Sequence, residues 1–173
     1  MNNLILFIST LLCWSPTWYL IKFQFGVVDP LISIFYRFFI ASTIVFIFLI
    51  LSKKKMSFNL HQHLSFLLLG VTLFSLNYIF FYLANTYLIS GIVTIAFSTI
   101  LIMNILGERI YFKIKSSKET LFAAGFGIVG ILIIFENELL NFRLEDKTHI
   151  GIILSFIATF WASTGNLVHQ KNS

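Results

Sequence analysis

The chain has 173 residues, of which 58% are hydrophobic and 11% charged. Soluble domains carry about 25% charged residues, so this chain has too few polar groups to cover a globular surface. The net charge of +5 resembles a nucleic-acid footprint only until the charges are located: they lie in short loops between apolar runs, and no nucleic-acid partner is expected.

Six apolar spans follow, each near the roughly 20 residues that cross a bilayer. They are Leu4 to Ile21, Leu31 to Leu51, Leu64 to Ala84, Leu88 to about Leu106, Leu121 to Phe135 and Ile150 to Val168. The first lacks a basic leader and a small-residue cleavage site, so it reads as a retained helix. Within it, Trp14, Trp18 and Lys22 fall on one face at i, i+4, i+8, and Pro16 interrupts the hydrogen-bond ladder. The two readings are a gating hinge and a static bend with tryptophans packed on lipid. Cys13 is the only cysteine, which excludes a disulfide framework or a thiolate metal site.

The second span contains Arg37, whose placement at a bilayer centre costs about 2.5–3.5 kcal/mol. Either it snorkels to the outer headgroups, towards Asp29, or it faces inward and binds an anionic group. Ser33, Arg37 and Ser42 or Thr43 share one helix face, which favours the inward reading.

In the third span, Ser75, Tyr78, Tyr82 and Asn85 form a polar aromatic face. Tyr82, near the outer end, reads as an interfacial anchor. Asn77 and Tyr78 are too deep for that role, and an amide in hydrocarbon needs a partner. The fourth span adds Thr94, Ser98 and Asn104; the hydroxyls can back-bond to their own helix, whereas Asn104 is a candidate for an interior contact.

Two patterns are decoys. GFGIVG (Gly125 to Gly130) spells a dinucleotide fingerprint, but it lies inside a membrane span with no strand before it. Ala123, Gly127 and Gly130 read instead as a small-residue stripe for close helix packing. His61 and His63 lie in a loop without a third ligand, so no metal site is expected. No cofactor is expected, and no acid pair or serine–histidine–carboxylate set supports an enzyme.

The loops indicate orientation. Lys53, Lys54, Lys55, Arg109, Lys113, Lys115, Lys118 and Lys171 fall on one side; Lys22, Arg143 and Lys147 share the other with Asp29, Glu136, Glu138, Glu145 and Asp146. The richer basic side, with the N-terminus, is expected in the cytoplasm. The chain also repeats itself: LLCWSPTWYLIK (Leu11 to Lys22) is matched by ATFWASTGNLVHQK (Ala158 to Lys171), aligning Trp14 with Trp161. Five helices separate the two starts, so the second copy begins in the opposite orientation, as an inverted repeat requires. The expected organisation is a first repeat over 1–141 and the first helix of a second, cut-off repeat over 149–173, a fragment of a ten-helix protein.

These residues resemble the EamA-type transporters of the drug/metabolite transporter superfamily. The likeness rests on Trp14 and Lys22, on Pro30 with Arg37 seven residues later, on GFGIVGILIIF (Gly125 to Phe135), and on WASTGNLVHQK (Trp161 to Lys171). It implies ten helices in two inverted five-helix repeats, and transport of small metabolites such as amino acids across bacterial inner membranes. The chain departs from the family where AFSTIL (Ala96 to Leu101) replaces a mid-helix proline. Gly107-Glu108-Arg109 also lies farther from the fifth helix than the family's step does, so Glu108 inherits no role.

The expected fold is therefore an all-α polytopic membrane helix bundle with six transmembrane helices. The expected function is secondary transport of a small polar metabolite by alternating access around a midplane cavity. Candidate cavity residues are Trp14, Arg37, Asn77, Tyr78, Asn104 and Asn166. The alternatives are a non-transporting membrane scaffold subunit and a half-size homodimeric exporter. The expected partners are the lipid bilayer, a small-molecule substrate, and either the missing second half or a second copy.

Overall fold

The structure, a computed structural model, describes residues 3–21, 23, 28–54, 56–143 and 147–172. All regular structure among them is helical. The chain divides into two units, Met1–Lys53 and Lys54–Ser173.

The first unit holds α1 (Asn3–Ile21) and α2 (Pro30–Leu51). Helix α1 runs through Pro16 without ending. Helix α2 starts where proline is best tolerated, at the first helical position, and the Asp29 carboxylate caps it by accepting from the Leu31 N–H at 2.8 Å. Nearly all its large apolar side chains are exposed, as a lipid-facing helix requires. The chain leaves α2 through Lys53, which has a left-handed φ of 49°.

The second unit begins with α3 (Leu60–Tyr87). A reciprocal capping box opens it: Gln62 N–H donates to Asn59 Oδ1, and Asn59 N–H donates to Gln62 Oε1, both at 2.9 Å. This cap places His61 and His63 in the first turn, with His63 edge-on to Phe58 and Phe66. Residues Gly70–Leu76 of α3 are wound as a π-helix, which the sequence reading did not anticipate. A short turn leads into α4 (Ser90–Phe112), which breaks at Thr99 and widens into a π-turn over Glu108–Phe112. The break falls in AFSTIL, where the resembling family often has proline. Here Ser98 and Thr99 hydroxyls donate back to Ile95 O and Ala96 O at 2.6 and 2.7 Å, a bonding pattern that bends helices. Next come α5 (Lys118–Ile134), the short α6 (Glu136–Leu140) and α7 (Thr148–Asn172).

Among the described residues, four helices are long and apolar enough to cross a membrane: Leu31–Leu51, Leu60–Tyr87, Ser90–Phe112 and Thr148–Lys171. The other two expected spans fall on α1, with its apolar stretch Asn3–Pro16, and on the 17-residue α5. This is a polytopic membrane helix bundle.

Helix α7 organises the second unit, packing along α3 and α4. Its buried face is made of small residues: Gly151, Ser155, Ala158, Thr159, Ala162, Ser163 and Gly165. In a bilayer, where lipid is as apolar as leucine, helices associate by close packing across such faces. A Cβ on Gly165 would lie 2.7 Å from Leu73 Cβ, and one on Gly151 would lie 2.5 Å from Leu88. Helices α3 and α7 are thus antiparallel, with Leu73 level with Gly165 and Leu88 level with Gly151. Gly107 on α4 meets Leu167 in the same way.

Two readings change here. Within the second unit the α5 stripe of Ala123, Gly127 and Gly130 meets little: a Cβ on Gly130 would meet nothing within 4 Å, and one on Gly127 only Leu101, at 3.8 Å. The close-packing face is on α7 instead. Tyr82 is not an interfacial anchor; it is 1% exposed and the largest fully buried side chain. The antiparallel register brings it within a turn of Ala158, which is itself fully buried.

Candidate functional site

Polar side chains inside a membrane bundle must be satisfied by protein, water or a ligand, so each candidate is defined by its hydrogen bonds. The hydroxyls are mostly committed locally. Thr72 donates to Leu68 O at 2.8 Å, Ser155 to Gly151 O at 2.8 Å, Thr159 to Ser155 O at 2.7 Å and Thr164 to Phe160 O at 2.9 Å. In α2, Ser42 and Thr43 both donate to Phe39 O.

Asn77 is different. In the π-wound segment its backbone N–H bonds to Thr72 O, five residues back. The Leu73 carbonyl, which an α-helix would pair with that N–H, is met instead by Asn77 Nδ2 at 3.2 Å. This fixes the amide: reversing it would set two oxygens against each other. Asn77 Oδ1 therefore points away from its own helix. The residue is 7% exposed, and Oδ1 accepts no hydrogen bond among the described residues.

Asn104, on the second half of α4, carries the same signature: its Oδ1 is buried and accepts nothing among the described residues. A buried unsatisfied acceptor costs about 1–3 kcal/mol, so two of them in one packed unit require a reason. The two are close in height. Asn77 lies four residues beyond Leu73 and Asn104 three residues before Gly107, and the contacts of Gly165 with Leu73 and of Gly107 with Leu167 set their levels along α7. At 1.5 Å per residue their heights differ by roughly 5 Å, less than one helical turn.

The other candidates are placed as follows. Tyr78 and Asn166 are half-buried, on α3 and α7. In the first unit, Arg37 is half-buried with its guanidinium 5.8 Å from the centre of the Phe38 ring, and Ser33 beside it is also half-buried. Trp14 is 58% exposed within that unit. The Trp18 side chain, Lys22, Lys55, Glu145 and Asp146 lie outside the described residues.

A separate cleft of about 470 Å³ opens where α3 turns into α4. Asn137, Glu138, Asn141, Arg143 and Thr148 supply its polar wall, and Tyr87, Leu88 and Ile89 face them. Gly91 permits this junction: its Cβ would lie 2.8 Å from Phe135 and 3.1 Å from Glu138. Sequence reading missed the cleft, because its walls come from a turn and from the short α6, neither of which has a periodic signal.

Across known proteins, the sequence model of the EamA-like transporter family matches residues 1–136. No curated protein and no solved structure matches the chain.

Proposed function

The chain belongs to the EamA-like transporter family, and on that premise we propose that it carries a small polar solute across the membrane by alternating access. The observation that supports this most is the pair of buried acceptors, Asn77 Oδ1 and Asn104 Oδ1, without protein donors among the described residues. Intramembrane polar groups of this kind mark solute paths. In this reading Tyr78 and Asn166 line the same path, and Trp14 and Arg37 are candidate solute contacts considered within the first unit alone. Helix α7, which lies beyond the family match, opens a second repeat inverted relative to residues 1–141. The basic loops and the N-terminus face the cytoplasm of a bacterial cell, and the cleft at the α3–α4 turn is the outer mouth.

The test is solute flux into proteoliposomes, normalised to inserted protein. Arg37→Lys keeps the charge but loses the planar fork that grips an anionic group through two bonds. Insertion should be unchanged, because the two residues have similar membrane costs, while flux should fall at least tenfold. Unchanged flux would remove Arg37 from the path. Single-cysteine labelling in a Cys13-free background should reach Lys54 and Ser116 only from the cytoplasm and Thr86 only from outside; the reverse pattern would overturn the orientation.

A further inference from the structure

We infer that the turn between α4 and α5 is a binding surface for the headgroups of anionic phospholipids. The inference requires only that the helices span a bilayer, and it holds on whichever side the turn lies. Three observations lead to it.

The first is charge. Arg109, Lys113, Lys115 and Lys118 lie within ten residues of chain, and all four are exposed. None of them pairs with a carboxylate among the described residues. Two acids flank the group. Glu108 is half-buried at the start of the π-turn, and Glu119 is held by its own backbone N–H and the Ser117 side chain. The surface between them is left basic.

The second is what lies between the charges. Ile110 and Tyr111 are 70% and 75% exposed, and Ile114 is exposed as well, so cations and apolar side chains alternate along one stretch. Water alone serves such a surface poorly. The edge of a bilayer serves both parts: apolar side chains enter the acyl boundary, a tyrosine ring sits at headgroup level, and cations reach phosphates.

The third is the backbone. Lys113 has a left-handed φ of 57°, a conformation that favours glycine or asparagine at a helix end. The turn itself does not call for lysine. The backbone N–H groups of Lys113 and Ile114 both donate to Glu108 O, and any residue but proline supplies the first of these. What lysine adds at this position is its ammonium. Each cation acts on a phosphate of the leaflet surface, so no single group has to reach all four. A headgroup whose phosphate has no ammonium beside it is attracted by the whole set, whereas a zwitterionic headgroup brings a cation that opposes it.

The experiment uses the full chain in a neutral detergent and measures lipid binding by native mass spectrometry. The probes are phosphatidylglycerol and phosphatidylcholine with the same acyl chains. Phosphatidylglycerol should bind at least fivefold more tightly, and the gap should narrow in high salt. Lys113→Asn suits the left-handed turn and removes the charge. It should lower phosphatidylglycerol affinity about fivefold, leave phosphatidylcholine binding unchanged, and leave the unfolding temperature in detergent no lower than wild type. Lys113→Arg should bind both lipids as the wild type does. Lys115→Gln should lower phosphatidylglycerol affinity by a similar factor, and it lies outside the left-handed position, so it keeps the test valid if Lys113→Asn fails to fold. Equal binding of the two lipids by the wild type would overturn the assignment. Unchanged phosphatidylglycerol affinity in a folded Lys113→Asn or Lys115→Gln protein would overturn it as well. Displacement of phosphatidylglycerol by an equal concentration of inorganic phosphate would also overturn it, in favour of a free-anion site.

Discussion

Helix α7 buries Gly151, Ser155, Ala158, Thr159, Ala162, Ser163 and Gly165 against α3 and α4, whereas α5, with three glycines of its own, buries none of its residues. By composition the two are near equals, since both are apolar and both carry small residues within a turn of each other. What separates them is the surface opposite. Helix α7 meets residues that occupy the space its missing side chains leave: Leu73 at Gly165, and Leu88 at Gly151. Nothing within the second unit stands opposite Gly125 or Gly130. A small residue is an opportunity for close approach, and only a partner in register turns it into packing.

Substitutions can break this comparison, beginning with the largest expected effect. Tyr82→Ala removes the largest side chain buried beneath α7 and should destabilise by about 3–5 kcal/mol, as other aromatic-to-alanine core changes do. Thermal unfolding in detergent would measure it, and a change below 1 kcal/mol would show that the ring is not held between α3 and α7. Next, Gly165→Leu forces a Cβ to within 3.1 Å of Leu73 backbone atoms, which cannot yield as a side-chain tip can. It should cost about 1–3 kcal/mol, while Gly125→Leu on α5 should stay within about 0.5 kcal/mol. Equal losses at the two sites would erase the distinction between the helices.

A smaller change separates size from polarity on the α7 face. Thr159→Val keeps the shape and deletes a hydroxyl that bonds only to its own helix at Ser155 O. Stability should move by less than about 1 kcal/mol, and a larger loss would show that the hydroxyl does more than back-bond. The smallest effect belongs to the entry of α5. Ser117 caps the helix by accepting from Thr120 N–H, and the Glu119 backbone N–H and the Ser117 side chain hold the Glu119 carboxyl below its usual range. A depressed carboxylate contributes stability above its unfolded pKa and loses it as pH falls through the folded value. Rate-corrected amide exchange at Thr120 and Leu121 should therefore quicken on acidification below about pH 4.5, and Glu119→Gln should abolish that dependence. Identical pH profiles would mean that Glu119 contributes nothing to the cap.

The helices were legible because hydropathy adds up along the chain without reference to neighbours. Leu31 to Leu51 falls within α2, and Leu64 to Ala84 falls within α3. Asn77 and Asn104 stood out for the same reason, as amides deep in apolar runs. Tyr82 and the α7 seam were not legible, since both depend on the register between segments about 75 residues apart in the chain. The π-wound stretch was invisible for another reason: GVTLFSL (Gly70 to Leu76) has no proline and no charge, and nothing in its composition separates π from α winding.

That stretch also has a bearing on how the chain tolerates changes in length. A π-wound turn holds one more residue than an α-turn between flanks that keep their phase. Deleting a residue from an ordinary helix swings every later side chain about 100° around the axis. Within Gly70–Leu76 the same deletion would instead restore regular winding, leaving Tyr78, Tyr82 and Asn85 on their present bearings. Asn77 would then lose the carbonyl that now holds its amide. The surplus residue is slack in the thread, and its one visible use is to aim an oxygen.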